Sequence, residues 1–120
     1  MMAMNLKTIK TKWGEEQLLI ETDRYIIKKL FIKPTRNTPQ GFHMRKSKSI
    51  YILQGTLYLD FSREQGESNI RKVFEGESWH LIPKTTYRFC APAERGVALL
   101  EISTSDLKTK IGLGGENAKI

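Results

Sequence analysis

Three basic side chains and one imidazole are gathered in the segment His43-Met44-Arg45-Lys46-Ser47-Lys48. If this segment is extended, His43 and Arg45 share one face of the strand, with Phe42 and Met44 on the other. A guanidinium has five donors, no acceptor and a permanent charge. Its strongest chemistry is bidentate binding of a phosphate or carboxylate, and a neighbouring imidazole can act as a general base. The other reactive side chains suggest less. His80, in Trp79-His80-Leu81-Ile82, has no second ligand at metal spacing and is expected as a surface or hydrogen-bonded strand histidine. Cys90 follows Phe89 without an adjacent base and is expected as a small buried hydrophobe. As the single cysteine it has no internal disulfide partner, which fits a reducing, cytoplasmic setting. Trp13 and Trp79 are expected as core or dimer-contact aromatics. Gly112-Leu113-Gly114-Gly115 looks like a phosphate loop only superficially, because no strand-turn-helix pattern frames it.

The chain of 120 residues carries 20 Lys and Arg against 13 Asp and Glu, a formal charge of +7. All of that excess lies in residues 1–50, which hold 11 basic and four acidic side chains. Between Asp23 and Asp60 there are eight cations (Arg24, Lys28, Lys29, Lys33, Arg36, Arg45, Lys46 and Lys48) and no acid. Hydrophobic residues make up 39%, enough for one core and too many for a disordered basic tail. No apolar run is longer than the four residues of Val97–Leu100, far short of the roughly 18 residues that a membrane span needs. The start, MMAMNLKTIKTKW, has no apolar signal core.

These residues must be held by strands. Residues 25–32 are mostly β-branched or aromatic, and in 56–61 Leu57, Leu59 and Phe61 alternate with Thr56, Tyr58 and Asp60. Further strands are expected at 16–21, 42–45, 49–53, 70–74, 78–82, 86–90 and 97–103. Ser49 to Leu59 reads as a hairpin turning at Gln54-Gly55. Many short strands with regular turn signals argue an all-β sandwich or barrel. Tyr25, Ile27 and Phe31 are expected in the core or across a dimer interface.

The order of the motifs resembles a known family. Lys12-Trp13-Gly14, Glu21-Thr22-Asp23-Arg24-Tyr25, Lys29, Lys33-Pro34, His43, Tyr51 and Gly55 look like the small, C-terminal type cupin domain of mannose-6-phosphate isomerases. Gly76-Glu77-Ser78, Arg88-Phe89 and Glu101-Ile102-Ser103-Thr104 continue the likeness in register. The resemblance implies a cupin double-stranded β-helix, or jelly-roll, barrel over residues 12–107. An N-terminal arm (1–11) precedes it and a polar, Gly-containing tail (108–120) follows. It also implies a pocket at one end, in many cupins holding a divalent metal on two His and one carboxylate of a first motif and one His of a second. Small cupins of this group are often homodimers.

Most metal-ligand positions are replaced. The family's first motif reads His-x-His-Arg-x-Glu, with a Gly seven residues later. Here His43 keeps its place, Arg45 stands for the second His and Lys48 for the carboxylate, while Gly55 keeps its distance. In the second motif, ungapped counting from Gly76 puts Tyr87 at the His position, whereas counting from Pro83 puts Arg88 there. The flanking matches favour Tyr87. Metal ligands must donate electron pairs, so Arg45 and Lys48 disfavour a divalent cation, and no metal or other cofactor is expected.

The resulting expectation is a pocket for an anionic sugar-like molecule, a sugar phosphate or nucleotide sugar, or a small carboxylate. His43 and Tyr87 are the candidate catalytic residues; Arg45, Lys48, Arg88 and Glu101 are the candidate ligand-binding residues. Glu101 shares strand parity with Val97 and Leu99 and can neutralise an interior cation. Two other readings accompany this one. In the first, His43 as base and Tyr87 as acid run a metal-free sugar isomerisation or epimerisation. In the second, nucleic acid binds the basic 24–48 region, although no nucleic-acid-reading motif accompanies it.

Overall fold

Alternation of apolar and polar side chains recurs along the chain, and the segments that carry it become strands. The computed structural model describes residues 7–42, 47–63 and 66–104. In chain order the strands are β1 (Lys7–Lys10), β2 (Gly14–Glu21), β3 (Tyr25–Ile32), β4 (Gly41–Phe42), β5 (Lys48–Gln54), β6 (Leu57–Arg63), β7 (Asn69–Val73), β8 (Ser78–Leu81), β9 (Thr85–Cys90) and β10 (Val97–Thr104). No helix occurs among the described residues, so none of them forms an apolar helix long enough to cross a membrane.

The strands make two antiparallel sheets. The larger runs β1-β2-β3-β10-β5-β8 and the smaller β4-β9-β6-β7. Their facing sides form the core. Leu30, Ile32, Val97, Leu99, Ile50, Ile52 and Leu81 come from the larger sheet, and Leu57, Leu59, Val73, Tyr87 and Phe89 from the smaller. Fully burying one such aliphatic or aromatic side chain stabilises the fold by about 1.5–3 kcal/mol. This is the all-β jelly-roll expected from the motif order. Lys7–Lys10, within the stretch read as an N-terminal arm, forms the outer strand beside β2.

The Ser49–Leu59 hairpin is not formed. β5 pairs with β10 and β8, whereas β6 pairs with β7 and β9. Gly55, with φ 88°, instead carries the chain from one sheet into the other. A side chain there would meet the Gly96 carbonyl oxygen at 2.7 Å. A sheet-crossing corner and a hairpin turn share the same signature, two alternating runs around a glycine. Only the partner strands distinguish them.

Candidate functional site

Strand parity brings three of the proposed residues together at one end of the space between the sheets. Lys48 opens β5 on the face of Ile50 and Ile52, Glu101 lies on β10 with Val97 and Leu99, and Tyr87 lies on β9 with Thr85 and Phe89. The Lys48 ammonium donates to the Tyr87 hydroxyl at 2.5 Å and to Glu101 Oε2 at 3.0 Å. It stands 4.9 Å from the centre of the Tyr87 ring. The Lys48 and Glu101 side chains are only 11% and 10% exposed. Gly41, opposite Tyr87 in the β4–β9 register, makes room for that ring, because a Cβ there would lie 2.8 Å from Tyr87 Cζ.

Burial by itself lowers the Lys48 pKa. The charge of Glu101 and the hydrogen bonds and charge interactions with Tyr87 and Glu101 outweigh burial, and the net shift is upward. Lys48 is therefore a cation inside the barrel. A second, part-buried pair lies beside it on the same sheet face, in which Lys28 Nζ meets Glu16 Oε2 at 3.0 Å. Lys28 is the register partner of Glu101 on the adjacent strand.

Phe61, read as a core-face residue of 56–61, and Trp79, expected as a core or dimer-contact aromatic, pack against the same core, and the exposed Arg71 joins them through Trp79; none of the three was singled out as a site residue. Phe61 is the register partner of Tyr87 and stacks, tilted by 51°, on Trp79 at 5.8 Å. The Arg71 guanidinium lies 4.7 Å from the Trp79 ring. Parity was the available signal, since Arg71 alternates in step with Val73 and Trp79 with Leu81.

Arg88 does not join this group. Alternation along β9 turns it to the opposite face from Tyr87, beside Asp60 and Cys90. Cys90 shares that outer face and is half-buried, not fully buried as expected. Burial first and the Asp60 charge second raise its thiol pKa against the opposing effect of Arg88, which disfavours a thiolate nucleophile. His80 is exposed and hydrogen-bonds through Nδ1 to Ser49 Oγ at 2.8 Å, as a strand histidine should. His43 and Arg45 lie outside the described residues. The chain enters them from β4 beside Tyr87 and leaves them one residue before Lys48.

The described residues do not by themselves supply a ligand set for the divalent metal that the resemblance implies. Among the described residues no group of three or more His, Cys, Asp and Glu converges. Among the described residues, Glu101 and the neighbouring Glu16 are each held by an ammonium. A divalent ion about 4 Å from the Lys48 ammonium would be repelled by roughly 8 kcal/mol at an effective dielectric of ~20.

Two facing antiparallel sheets of this order, with a polar cluster at one end, define a cupin-type jelly-roll. No family model and no curated protein sequence matches the chain. Solved structures do match. An RmlC-like cupin from Shewanella frigidimarina is 16% identical with a TM-score of 0.70, over 82% of this chain and 83% of that one. The Bacillus halodurans protein BH2720 is 13% identical with a TM-score of 0.69, over 75% of this chain and 69% of that one. A variant of Bacillus subtilis oxalate decarboxylase reaches a TM-score of 0.76 at 17% identity; 84% of this chain matches 28% of that enzyme. At such identities the likeness is one of fold. The narrower resemblance to mannose-6-phosphate isomerases rests on motif order alone.

Proposed function

We propose that this protein binds a small anionic, sugar-like molecule at the Lys48–Tyr87–Glu101 end of the barrel, without a catalytic metal. The observation that carries this reading is the Lys48 ammonium, buried and kept charged with only two of its three protons engaged by described residues. The third is a donor for a ligand, and Glu101 offers acceptor oxygens. A sugar hydroxyl both gives and takes hydrogen bonds and suits this pair. The ligand's anionic group falls to Arg45. A small carboxylate, the substrate class named for the oxalate decarboxylase neighbour, suits the same cations.

Calorimetry against hexose phosphates, nucleotide sugars and small dicarboxylates tests the proposal. At least one should bind saturably, and Tyr87→Phe, which removes one oxygen, should weaken it five- to tenfold. No binding across the panel would sink the idea. A stoichiometric transition metal in unchelated protein would overturn its metal-free part.

One observation favours a catalytic version. The Tyr87 hydroxyl accepts from Lys48, which sets a phenol, a general-acid type of side chain, beside a fixed positive charge. With His43 removing the proton next to a carbonyl, the outcome is sugar isomerisation or epimerisation. Nucleic-acid binding gains less support. Lys48 is buried and Lys28 part-buried on the inner sheet face, each paired with a Glu, Lys29 lies on the opposite face, Arg24 lies in the β2–β3 turn, and Lys33 and Arg36 lie in the loop after β3. The described cations of 24–48 therefore make no continuous face.

A homodimer is the proposed assembly, and the single half-buried cysteine supports a cytoplasmic setting. Tyr25, Phe31, Tyr51 and Leu53 stand about 40% exposed on the outer face of the larger sheet, around the half-buried Ile27, Leu100 and Ile102. An apolar patch of this kind marks an association surface. Phe31→Glu is expected to convert a dimer to monomer in sedimentation. Wild-type protein that sediments as a monomer at high micromolar concentration would refute the assembly.

A further inference from the structure

At the other end of the barrel, an open groove of about 410 Å³ is lined by Lys12, Trp13, Thr35, Arg36, Asn37, Thr38 and Pro39. It is far from the site proposed above. On β10, Val97 pairs with Ile32 at the groove end, and Glu101 lies four residues on, about 13 Å of strand away.

Two short segments build the groove, and both are pinned. The β1–β2 turn is closed by Thr11 N to Gly14 O and by Gly14 N to the Thr11 hydroxyl, both 2.9 Å, which sets Lys12 and Trp13 at its tip. The segment after β3 is fixed at Lys33, Thr35, Arg36 and Thr38. Lys33 N bonds Trp13 O, Thr35 N bonds Pro92 O, and Ala91 N bonds Arg36 O. Thr38 exchanges two bonds with Phe89, one through its backbone N and one through its hydroxyl. Thr35 has φ 66°, a left-handed conformation that a β-branched residue adopts only where its surroundings impose it. The segment is thus pre-organised, which lowers the entropic cost of binding.

The chemistry of the lining is one-sided. Lys12 and Arg36 are exposed cations, and neither takes part in any ion pair or side-chain hydrogen bond among the described residues. No acid lines the groove. Trp13 packs against the core on one side and borders the groove on the other. A flat ring surface beside two unneutralised cations matches a ligand that carries both a ring and a phosphate.

We propose that this groove is a second ligand site, for a phosphate monoester carried on a ring, with the ring against Trp13 and the phosphate on Arg36 and Lys12. The ring is either a sugar or a nucleobase, and the test separates the two. The indole N–H signals of Trp13 and Trp79 report on opposite ends of the barrel, and Trp79→Phe assigns them. The full-length protein would be titrated with adenosine 5′-monophosphate, ribose 5-phosphate, adenosine and inorganic phosphate. We expect saturable movement of the Trp13 signal with a phosphate ester, at least tenfold weaker in the Lys12→Gln, Arg36→Gln double variant. Response to both esters identifies a sugar phosphate; response to the adenine ester alone identifies a nucleobase. Four results would overturn the proposal: no saturable Trp13 shift with either ester; adenosine or inorganic phosphate binding as tightly as the esters; indifference to the double substitution; or movement of Trp79 alone. The last would place the ligand at the Lys48 end and leave the first reading standing. The exchanged side chains are exposed and unpaired, so the double variant retains the fold, as its unfolding temperature will verify.

Discussion

Lys48→Met will destabilise the fold by about 3–5 kcal/mol, because it leaves the Glu101 carboxylate buried without its cation. Glu101→Leu should cost a similar amount by stranding the ammonium. The Lys48→Met, Glu101→Leu double variant should recover most of that loss, falling within about 1 kcal/mol of the wild type. An apolar pair has Ile50, one of the two register partners of Glu101, to pack against, the other being Lys28. A urea-unfolding cycle over the four proteins measures the coupling. If Lys48→Met costs under about 0.5 kcal/mol, the pair is open to water and the proposed interior cation loses its basis.

The same pair makes stability depend on pH at the alkaline end. The folded protein holds the Lys48 proton more tightly than the unfolded chain does, where the ordinary value is 10.5. The contribution is therefore complete below 10.5 and is lost as pH rises through the higher, folded-state value. Relative to the double variant, the wild type should lose stability only above that point. A difference that instead grew with rising pH would contradict the sign.

Gly14→Ala is the second large effect, expected to cost about 3 kcal/mol or more. Gly14 has φ 157° and pairs with Ile32, and a Cβ built on it falls 1.8 Å from the Phe31 carbonyl oxygen. That oxygen is backbone within a strand and cannot swing aside as a side-chain tip would. Relief requires β2 to lift from β3 or the Thr11–Gly14 turn to open, and either displaces Trp13. A thermal unfolding scan with the Trp13 indole signal reports both. An alanine variant within about 1 kcal/mol of the wild type, with that signal unmoved, would show that the strand pair yields easily.

The candidate site was legible in part. Parity put Glu101 on the interior face with Val97 and Leu99, and motif order pointed to Tyr87 and Lys48. That Glu101 and Lys48 neutralise each other was one of the roles foreseen for an interior acid. Arg88 was a candidate only because a one-residue shift in counting moves the motif position from one face of β9 to the other. Phe61, Trp79 and Arg71 were not singled out as site residues because each lies on a different strand, and nothing in the chain states which strands face one another.

The sequence alone determined that the chain is all-β, because alternation with a period of two is a local property of consecutive residues. It also placed an unusual density of cations before Asp60. It did not determine where those cations act. Lys48 proved to be buried and paired and Lys28 part-buried and paired, whereas Lys12 and Arg36 have no ion-pair partner among the described residues and stand over a groove at the opposite end. Nor did it distinguish a hairpin from a crossing between sheets at Gly55. Both questions concern residues far apart in the chain, and their answers depend on which strands pair and which sheet faces lie opposite. Charge is counted along a sequence, but the work a charge does is set by its partners in three dimensions.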